Sequence, residues 1–315
     1  IVLIIYLQFF PYKYFSRLSQ IGIFVSIVLL FVTLLFGVSK GNASRWIMGF
    51  QPSDFAKLVL ILYVSRVLTN KQDEIKDFRK GLVPILWPVI LICGLILPAD
   101  FSTAAILLIV CFTMMFVGGA KIKHLGSIIG AAFIGFLFLI LINMAFPGFL
   151  PRVDTWEKRM MSYGSGNKQE NYQAEMAKRA VANGFLFGKG PGKGHVKNDL
   201  YSAQSDFIYA SSIEEFGSIV GGIGLLILYM ILFFRAIRIM NKVESKFAAH
   251  LVFGLSFMLI FQSFINMGVG VNLLPVTGQP LPLISMGGTS ILFTCVSLGI
   301  ILNVSSTVYN ESVDV

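Results

Sequence analysis

Long runs without a charged residue constrain this chain more than any other feature. Residues 247–310 contain no Asp, Glu, Lys or Arg. Over all 315 residues, 56% are hydrophobic and 13% are charged, whereas a soluble domain carries about 25% charged residues. So few charges do not cover the water-facing surface of a chain this long. The composition therefore excludes a soluble globular enzyme, a disordered protein and a coiled coil, and it indicates helices packed in lipid.

The apolar runs have the length of membrane-spanning helices, which need about 20 predominantly apolar residues. Eight segments qualify as whole spans, and they are 18–39, 52–69, 81–98, 101–120, 125–147, 216–234, 247–268 and 287–306. Residues 1–12 resemble the end of a further span, and the Ile at position 1 suggests that the true N-terminus is missing. We therefore predict an all-α, polytopic integral membrane protein with a single domain over residues 1–315.

Basic residues are distributed unevenly over the short loops between these spans. The short loops of one side hold only Lys40 and Arg45. Those of the other side hold thirteen basic residues, namely Lys13, Arg17, Arg66, Lys71, Lys76, Arg79, Lys80, Lys121, Lys123, Arg235, Arg238, Lys242 and Lys246. The positive-inside rule places the richer side in the cytoplasm. Loop asymmetry also explains the net charge of +9, so we predict no nucleic-acid partner.

One polar loop, residues 148–207, is much longer than the others and lies on the outer side in this topology. A loop of this length without a function is uncommon. Within it, the spacing of apolar residues predicts an amphipathic helix over 168–183, with Gly184 as its cap.

Two acidic clusters lie near the predicted outer ends of spans. In RWIMGFQPSDFAK, Ser53 is a candidate N-cap, Asp54 falls in the first helical turn and Lys57 lies on the same face. This pair either serves function, as intramembrane ionisable residues usually do, or only ties helices together. In PADFST, Asp100 either contributes to a site or simply caps the helix that starts near Ser102.

Two further clusters follow the long loop. Asp206 lies where the loop enters the membrane, with Glu214 and Glu215 about two helical turns deeper. A partly desolvated carboxylate there suits a general base, although an Asp at a helix start is also a common N-cap. The last cluster is NLLPVTGQPLPLISMGGTS, which includes the candidate binding residues Ser285, Gly287, Gly288 and Ser290. Irregular backbone at membrane depth lines a cavity or is buried, and the amides before the last span predict an anion site or a structural turn.

The loop also contains GFLFGKGPGKGHVKNDL over 184–200, which is rich in glycine and lysine. It matches neither a Walker A nor a dinucleotide-binding loop, since no strand precedes it. Either it binds a phosphate-bearing ligand or it is a mobile, solvated loop.

In this order, the clusters resemble the SEDS family (shape, elongation, division and sporulation), that is, FtsW and RodA. The matching pieces are GNASRWI, QPSD, PADFSTA, GKGPGKG, SDFIYASSIEEFG and NMGVGVNLLPVTGQPLPLISMGGTS. The resemblance implies a fold of ten transmembrane helices, of which the first and most of the second are absent here. It also implies a bacterial inner-membrane glycosyltransferase that polymerises lipid II outside the cytoplasm in cell division or elongation, with details that favour the division branch. The implied partners are a class B penicillin-binding protein and other divisome or elongasome proteins.

Residue by residue, the resemblance assigns Asp206 as the catalytic carboxylate. It places Lys57 and Asp100 at matching positions, and Asp54 where the family usually has Glu. Tyr172 and Gln173 match a recurring Tyr–Gln pair in the long loop. The sequence departs from the family pattern just before the catalytic position, at Ser202, Ala203 and Gln204.

The implied reaction turns an α-linked pyrophosphate donor into a β-1,4 product. One inversion needs one general base and no covalent nucleophile. The candidates to stabilise the pyrophosphate leaving group are Arg45, Lys57, Arg152 and Lys193. No cofactor is predicted with certainty, but a divalent cation such as Mg²⁺ or Mn²⁺ could assist. The alternatives are a lipid II flippase, which needs no base at Asp206, and a non-enzymatic divisome scaffold, which does not need these charges on one side.

Overall fold

The computed structural model describes residues 2–40, 43–47, 49–145, 172–196 and 203–313. Its α-helices, numbered in chain order, are α1 Val2–Gln8, α2 Lys13–Phe36, α3 Pro52–Asn70, α4 Val83–Ile96, α5 Phe101–Val117, α6 Ile122–Ala145, α7 Tyr172–Gly184, α8 Ile208–Gly217, α9 Leu225–Lys242, α10 Lys246–Gly270 and α11 Gly288–Val313. Two π-helical turns, Phe78–Leu82 and Ser218–Gly224, precede α4 and α9.

The predicted membrane spans coincide with helices. Within the described part of the chain, five helical stretches are long and apolar enough to cross a membrane, and they are Lys13–Phe36, Phe78–Ile96, Ile208–Lys242, Lys246–Gly270 and Gly288–Tyr309. Helices α3, α5 and α6 occupy the other three predicted segments. The prediction of an all-α, multi-span membrane protein is thus confirmed.

The structure adds one feature that the span map lacks. A short antiparallel hairpin, β1 Val38–Lys40 and β2 Ala43–Trp46, joins α2 to the segment before α3. Here Ser39 pairs with Ser44. The hairpin contains Lys40 and Arg45, the two basic residues that the sequence placed in a short loop.

The chain forms two compact units. Unit 1 comprises Ile1–Ala120, Leu226–Ser263 and Gln279–Val315, and unit 2 comprises Lys121–Leu225 and Phe264–Gly278. Helix α10 contributes residues to both units, and the single domain over residues 1–315 stays a prediction.

In unit 1, α3 is buried along most of its length. It packs against α2, α4, α5 and α11, and Ala56, Leu60 and Val64 are fully buried. The approach of α2 is close, since a Cβ added at Gly22 would lie 2.9 Å from Val59 Cγ1. This burial explains why a span that carries charges forms a helix here: ionisable residues in membrane helices face the protein interior.

Helices α1 and α11 also pack together in unit 1. The buried side chain of Asn303 donates hydrogen bonds to the backbone oxygens of Leu7, Gln8 and Phe10 at 3.0, 2.7 and 2.8 Å. Carbonyls at a helix C-terminus have no partner within the helix, so Asn303 satisfies the end of α1 where Pro11 interrupts the chain.

Unit 2 is organised around the contact of α7 with α8. Its apolar core contains Met176, Ala177, Ala180, Val196, Ala203, Phe207, Ala210 and Val269. The amphipathic helix predicted over 168–183 corresponds to α7, although residues 168–171 lie outside the described residues. Gly184 is the last residue of α7, and it also lets the chain approach the carbonyl oxygen of Ile213, where a Cβ would collide.

Candidate active site

Asp54 and Lys57 form a buried ion pair in the first turns of α3. Lys57 Nζ lies 2.7 Å from Asp54 Oδ1, and the two side chains are 10% and 5% exposed, respectively. The second carboxylate oxygen, Asp54 Oδ2, accepts a hydrogen bond from Thr289 Oγ1 at 3.2 Å. Thr289 lies in the first turn of α11 and comes from the Gly-Gly-Thr-Ser motif. The sequence analysis selected the neighbouring Gly288 and Ser290 as binding residues. No local pattern indicated that the Thr289 hydroxyl would bind the carboxylate of Asp54, 235 residues away.

The start of α3 differs from the prediction. Ser53 is not the N-cap, because the helix already begins at Pro52 with Gln51 in the N-cap position. Proline at the first helical position lacks only an N–H that would have had no partner there. The Ser53 hydroxyl instead accepts a hydrogen bond from Gln51 Nε2 at 3.1 Å.

A cleft within unit 1 opens beside this ion pair. The cleft and the open solvent at its mouth together occupy about 390 Å³. Its polar lining consists of Asp54, Lys57, Gln262, Ser290, Thr294 and Ser297, and its apolar lining of Leu58, Ile61, Leu255, Met258, Leu259 and Phe293. The predicted binding residue Ser290 therefore lines the same cleft as Asp54 and Lys57, and the cleft has both polar and apolar side chains in its lining.

The other predicted residues near α11 have different positions. Ser285 is buried, and its hydroxyl accepts a hydrogen bond from the backbone N–H of Leu281 at 2.6 Å. It therefore stabilises the turn before α11. Gly287 and Gly288 lie at the N-terminus of the helix, where a Cβ added at Gly288 would meet nothing within 4 Å. Their role in binding an anion stays a prediction.

Asp100 caps α5. Its Oδ1 accepts a hydrogen bond from the backbone N–H of Thr103 at 3.1 Å, and the helix begins at Phe101. The Thr103 hydroxyl in turn accepts a hydrogen bond from Gln279 Nε2 at 2.8 Å. Asp100 also lines a second cleft of unit 1 together with Ser53. Capping is thus one role of Asp100, and a position beside a cleft is compatible with a second.

In unit 2, Asp206 lies in the turn that precedes α8. Its backbone oxygen accepts a hydrogen bond from Asn266 Nδ2 at 2.9 Å, and Asn266 is fully buried. A Cβ added at Gly278 would lie 3.8 Å from Asp206 Oδ2, so the backbone at Gly278 passes close to the carboxylate. Phe207, not Asp206, occupies the N-cap position of α8. Asp206 itself is half-buried.

Glu214 holds the glycine-rich segment in place. It is fully buried, and its carboxylate accepts hydrogen bonds from the backbone N–H groups of His195 and Val196, each at 3.2 Å, and from Asn183 Nδ2 at 3.3 Å. Lys189 Nζ lies 3.5 Å from Glu214 Oε1. The sequence analysis placed the Glu214 carboxylate at membrane depth and named no partner for it. The glycines of the preceding segment are the signal that could have indicated a backbone partner.

The backbone of the same segment runs along the end of α8. The N–H groups of Lys189 and Gly190 donate to the carbonyl oxygens of Glu214 and Glu215, each at 2.9 Å. Glu215 Oε2 also accepts a hydrogen bond from the backbone N–H of Gly192 at 3.0 Å. The glycines therefore permit backbone contact with a helix. Over its described residues, 184–196, the segment is held by backbone hydrogen bonds to α8.

The remaining predicted residues are less informative. The side chain of Arg45 and all of Arg152 lie outside the described part of the structure, as do residues 197–202. Lys193 is exposed, and Gln173 is half-buried on α7. Among the described residues, no group of three or more His, Cys, Asp or Glu side chains could hold a metal ion.

Comparison with known proteins identifies the family. The family model for the cell cycle proteins FtsW, RodA and SpoVE matches residues 1–310. The chain belongs to the FtsW/RodA/SpoVE family. It is 33% identical to the stage V sporulation protein E of Bacillus subtilis, over 95% of this chain and 81% of that protein. It is 34% identical to a probable peptidoglycan glycosyltransferase FtsW of the same organism, over 98% of this chain and 79% of that protein.

Solved structures show the same family fold. The chain resembles the rod shape determining protein RodA of Thermus thermophilus with a TM-score of 0.68 and 26% identity, over 98% of this chain and 84% of RodA. It also resembles a chain from a study of polymerization and crosslinking by a peptidoglycan synthase complex, with a TM-score of 0.76 and 26% identity, over 98% of this chain and 86% of that one. The chain is thus a multi-pass membrane protein of the FtsW/RodA/SpoVE family.

Proposed function

We propose that this chain is a peptidoglycan glycosyltransferase that polymerises lipid II. It would form β-1,4 glycan strands with inversion and would release undecaprenyl pyrophosphate. The observation that carries the proposal is the position of Asp206, a half-buried carboxylate whose backbone is fixed by a fully buried asparagine. Relatives named as probable peptidoglycan glycosyltransferases, such as FtsW of Bacillus subtilis and of Haemophilus influenzae, support the reaction class.

Asp206 is the proposed general base. A base must reach the proton that it removes, in this case that of the 4-hydroxyl on the acceptor sugar. Asp206 suits this role better than Glu214, because the carboxylate of Glu214 is fully buried and accepts hydrogen bonds from three N–H donors. A fully buried carboxylate whose oxygens already accept hydrogen bonds from the protein does not reach a hydroxyl group of a substrate.

The Asp54–Lys57 pair and the exposed Lys193 are proposed to bind the lipid-linked substrate. Lys57 lines a cleft and lies 2.7 Å from a carboxylate, so it offers only part of its charge to a pyrophosphate. Thr289 fixes the other oxygen of that carboxylate and leaves Lys57 in a defined position. Fixed cations stabilise the charge that builds on a leaving group.

We further propose that the reaction takes place on the outer side of the membrane with a class B penicillin-binding protein as partner. The excess of basic residues on the opposite short loops supports this orientation. The similarity to a chain from a synthase complex that couples polymerization to crosslinking supports a crosslinking partner.

The variant Asp206→Asn tests the proposal. It keeps the size of the side chain but removes the proton acceptor, so we expect glycan polymerisation to fall by about 10²–10⁴-fold while lipid II binding persists. The assay is polymerisation of lipid II by the purified chain with its penicillin-binding protein, with glycan strands resolved on a gel. The control is Asp73→Asn at an exposed position. Activity within a few-fold of the parent would assign the base to another carboxylate, with Asp100 tested next, and lipid II transport would gain support if neither aspartate mattered.

A further inference from the structure

Three apolar residues at the start of the glycine-rich segment have no role in the proposed reaction. Phe185, Leu186 and Phe187, called here the apolar triplet, are 73%, 44% and 81% exposed, respectively. Single exposed apolar residues are common on protein surfaces. Two exposed phenylalanines on either side of an exposed leucine are a different matter, since three consecutive apolar side chains form a surface that avoids water.

The exposure of the triplet is imposed by its backbone. Phe185 O accepts a hydrogen bond from Ser218 N at 2.8 Å, and Leu186 O accepts one from Ile219 N at 3.3 Å. Phe185 has a φ of 43°. This angle lies in the left-handed region, which residues other than glycine rarely adopt. A strained residue persists where the surrounding structure requires it. The hydrogen bonds to Ser218 and Ile219 hold the backbone of the triplet in this conformation, in which its side chains are exposed.

The helix to which the triplet is bonded exposes apolar residues as well. Phe216, Ile219, Val220 and Ile223 are 45%, 46%, 62% and 56% exposed. They belong to the helical stretch Ile208–Lys242, which is long and apolar enough to cross a membrane. The exposed apolar face of such a helix is covered by lipid. Because the triplet is hydrogen-bonded to this stretch at Ser218 and Ile219, its apolar surface continues a surface that meets lipid.

We propose that the apolar triplet inserts into the bilayer and anchors the glycine-rich segment to the membrane surface. The occupant of this surface is the boundary between lipid headgroups and acyl chains, where aromatic side chains are favoured. The inference depends on the membrane-spanning helix and not on the proposed transferase reaction.

Nitroxide labels measure the depth of the triplet directly. The label is attached at Phe187→Cys in a chain that also carries Cys295→Ser, and the buried Cys93 and Cys111 are retained. The protein is placed alone in nanodiscs of phosphatidylethanolamine and phosphatidylglycerol. Power saturation then compares collision with oxygen, which concentrates in lipid, and with a nickel chelate, which stays in water. We expect oxygen to dominate at Phe187, as it does at a label on the span at Val220→Cys.

Matched labels make the outcome decisive. Lys178→Cys, at an exposed polar position on α7, should favour the nickel chelate, and Leu186→Cys repeats the test if the Phe187 variant is not monodisperse. The proposal is overturned if the triplet labels collide with nickel as often as the Lys178 label does. The proposal is also overturned if the triplet labels become inaccessible to the nickel chelate only after a penicillin-binding protein is added. The triplet would then be covered by a protein and not by lipid.

Discussion

At the scale of single residues, Asp206 and Glu214 show how environment separates two carboxylates that are eight positions apart in the chain. Glu214 is fully buried and surrounded by N–H donors. Asp206 is half-buried, and its backbone oxygen accepts a hydrogen bond from the side chain of Asn266. The first arrangement stabilises a segment of the chain, whereas the second fixes the backbone of the carboxylate that we propose as the general base.

Asn266 is expected to position Asp206 for the proposed reaction. Asn266→Ala removes the hydrogen bond to the Asp206 carbonyl, and a small displacement of a catalytic group lowers turnover by about 10–10²-fold. We expect kcat for polymerisation to fall while KM for lipid II changes little. The control is Ser256→Ala, which is also fully buried on α10 and bonds only within its helix, to Phe253 O. Equal losses in kcat for the two variants would contradict a positioning role.

The Asp54–Lys57 pair yields a second residue-scale prediction. Lys57→Ala leaves a buried carboxylate without its cation, which costs about 3–5 kcal/mol of stability. Adding Asp54→Asn removes the uncompensated charge, so we expect the double variant to regain thermal stability in detergent. We also expect it to stay inactive in glycan polymerisation, because Lys57 is proposed to bind substrate. A double variant that regains both properties would show that the pair is only structural.

At the scale of elements, the glycine-rich segment acts as a backbone partner of a helix end. The turn Ser218–Gly224 departs from α-helical hydrogen bonding, and the N–H groups of Ser218 and Ile219 donate to the segment instead. Glycine is required where the two backbones meet, since a Cβ at Gly188 would collide with the carbonyl oxygen of Glu215. The sequence showed that the segment is rich in glycine, but it did not predict the contact with Ser218 and Ile219. Hydropathy does not show where a helix changes its hydrogen bonding.

A pair of glycine variants separates collision from backbone strain. Gly188 and Gly192 both have a φ of 77°, so alanine strains the backbone at either position, at about 1–2 kcal/mol. Only Gly188→Ala adds a collision with the backbone of α8, whereas a Cβ at Gly192 meets nothing within 4 Å. We therefore expect a clearly larger loss of thermal stability for Gly188→Ala. Similar losses would mean that the segment does not lie against α8 as described.

At the scale of the whole molecule, the predicted topology is open to a direct test. Cysteines introduced at Lys76 and Arg238 should be shielded from an impermeant thiol reagent in intact cells, because the positive-inside rule places them in the cytoplasm. A cysteine at Lys40, in the hairpin, should react from outside. Labelling at Lys76 before cell lysis would refute the map.

Hydropathy alone located the spans, including the least apolar one. Each helix satisfies its backbone hydrogen bonds within itself, which lipid requires, so a local apolar run is enough to specify it. The run over 52–69 became α3, and its charges are tolerated because α3 is buried among α2, α4, α5 and α11. The sequence did not anticipate the β1–β2 hairpin, since three or four residues per strand carry too short a pattern to distinguish from a loop.

The sequence by itself determined the order of the apolar helices along the chain and the residue types from which a site is built. Which of those residues meet was decided only by tertiary structure. Thr289 reaches Asp54 across 235 residues, and Asn266 reaches the backbone of Asp206 across 60. Such partners leave no periodic signal, because their contact depends on how separate helices pack and not on the spacing of residues along one helix.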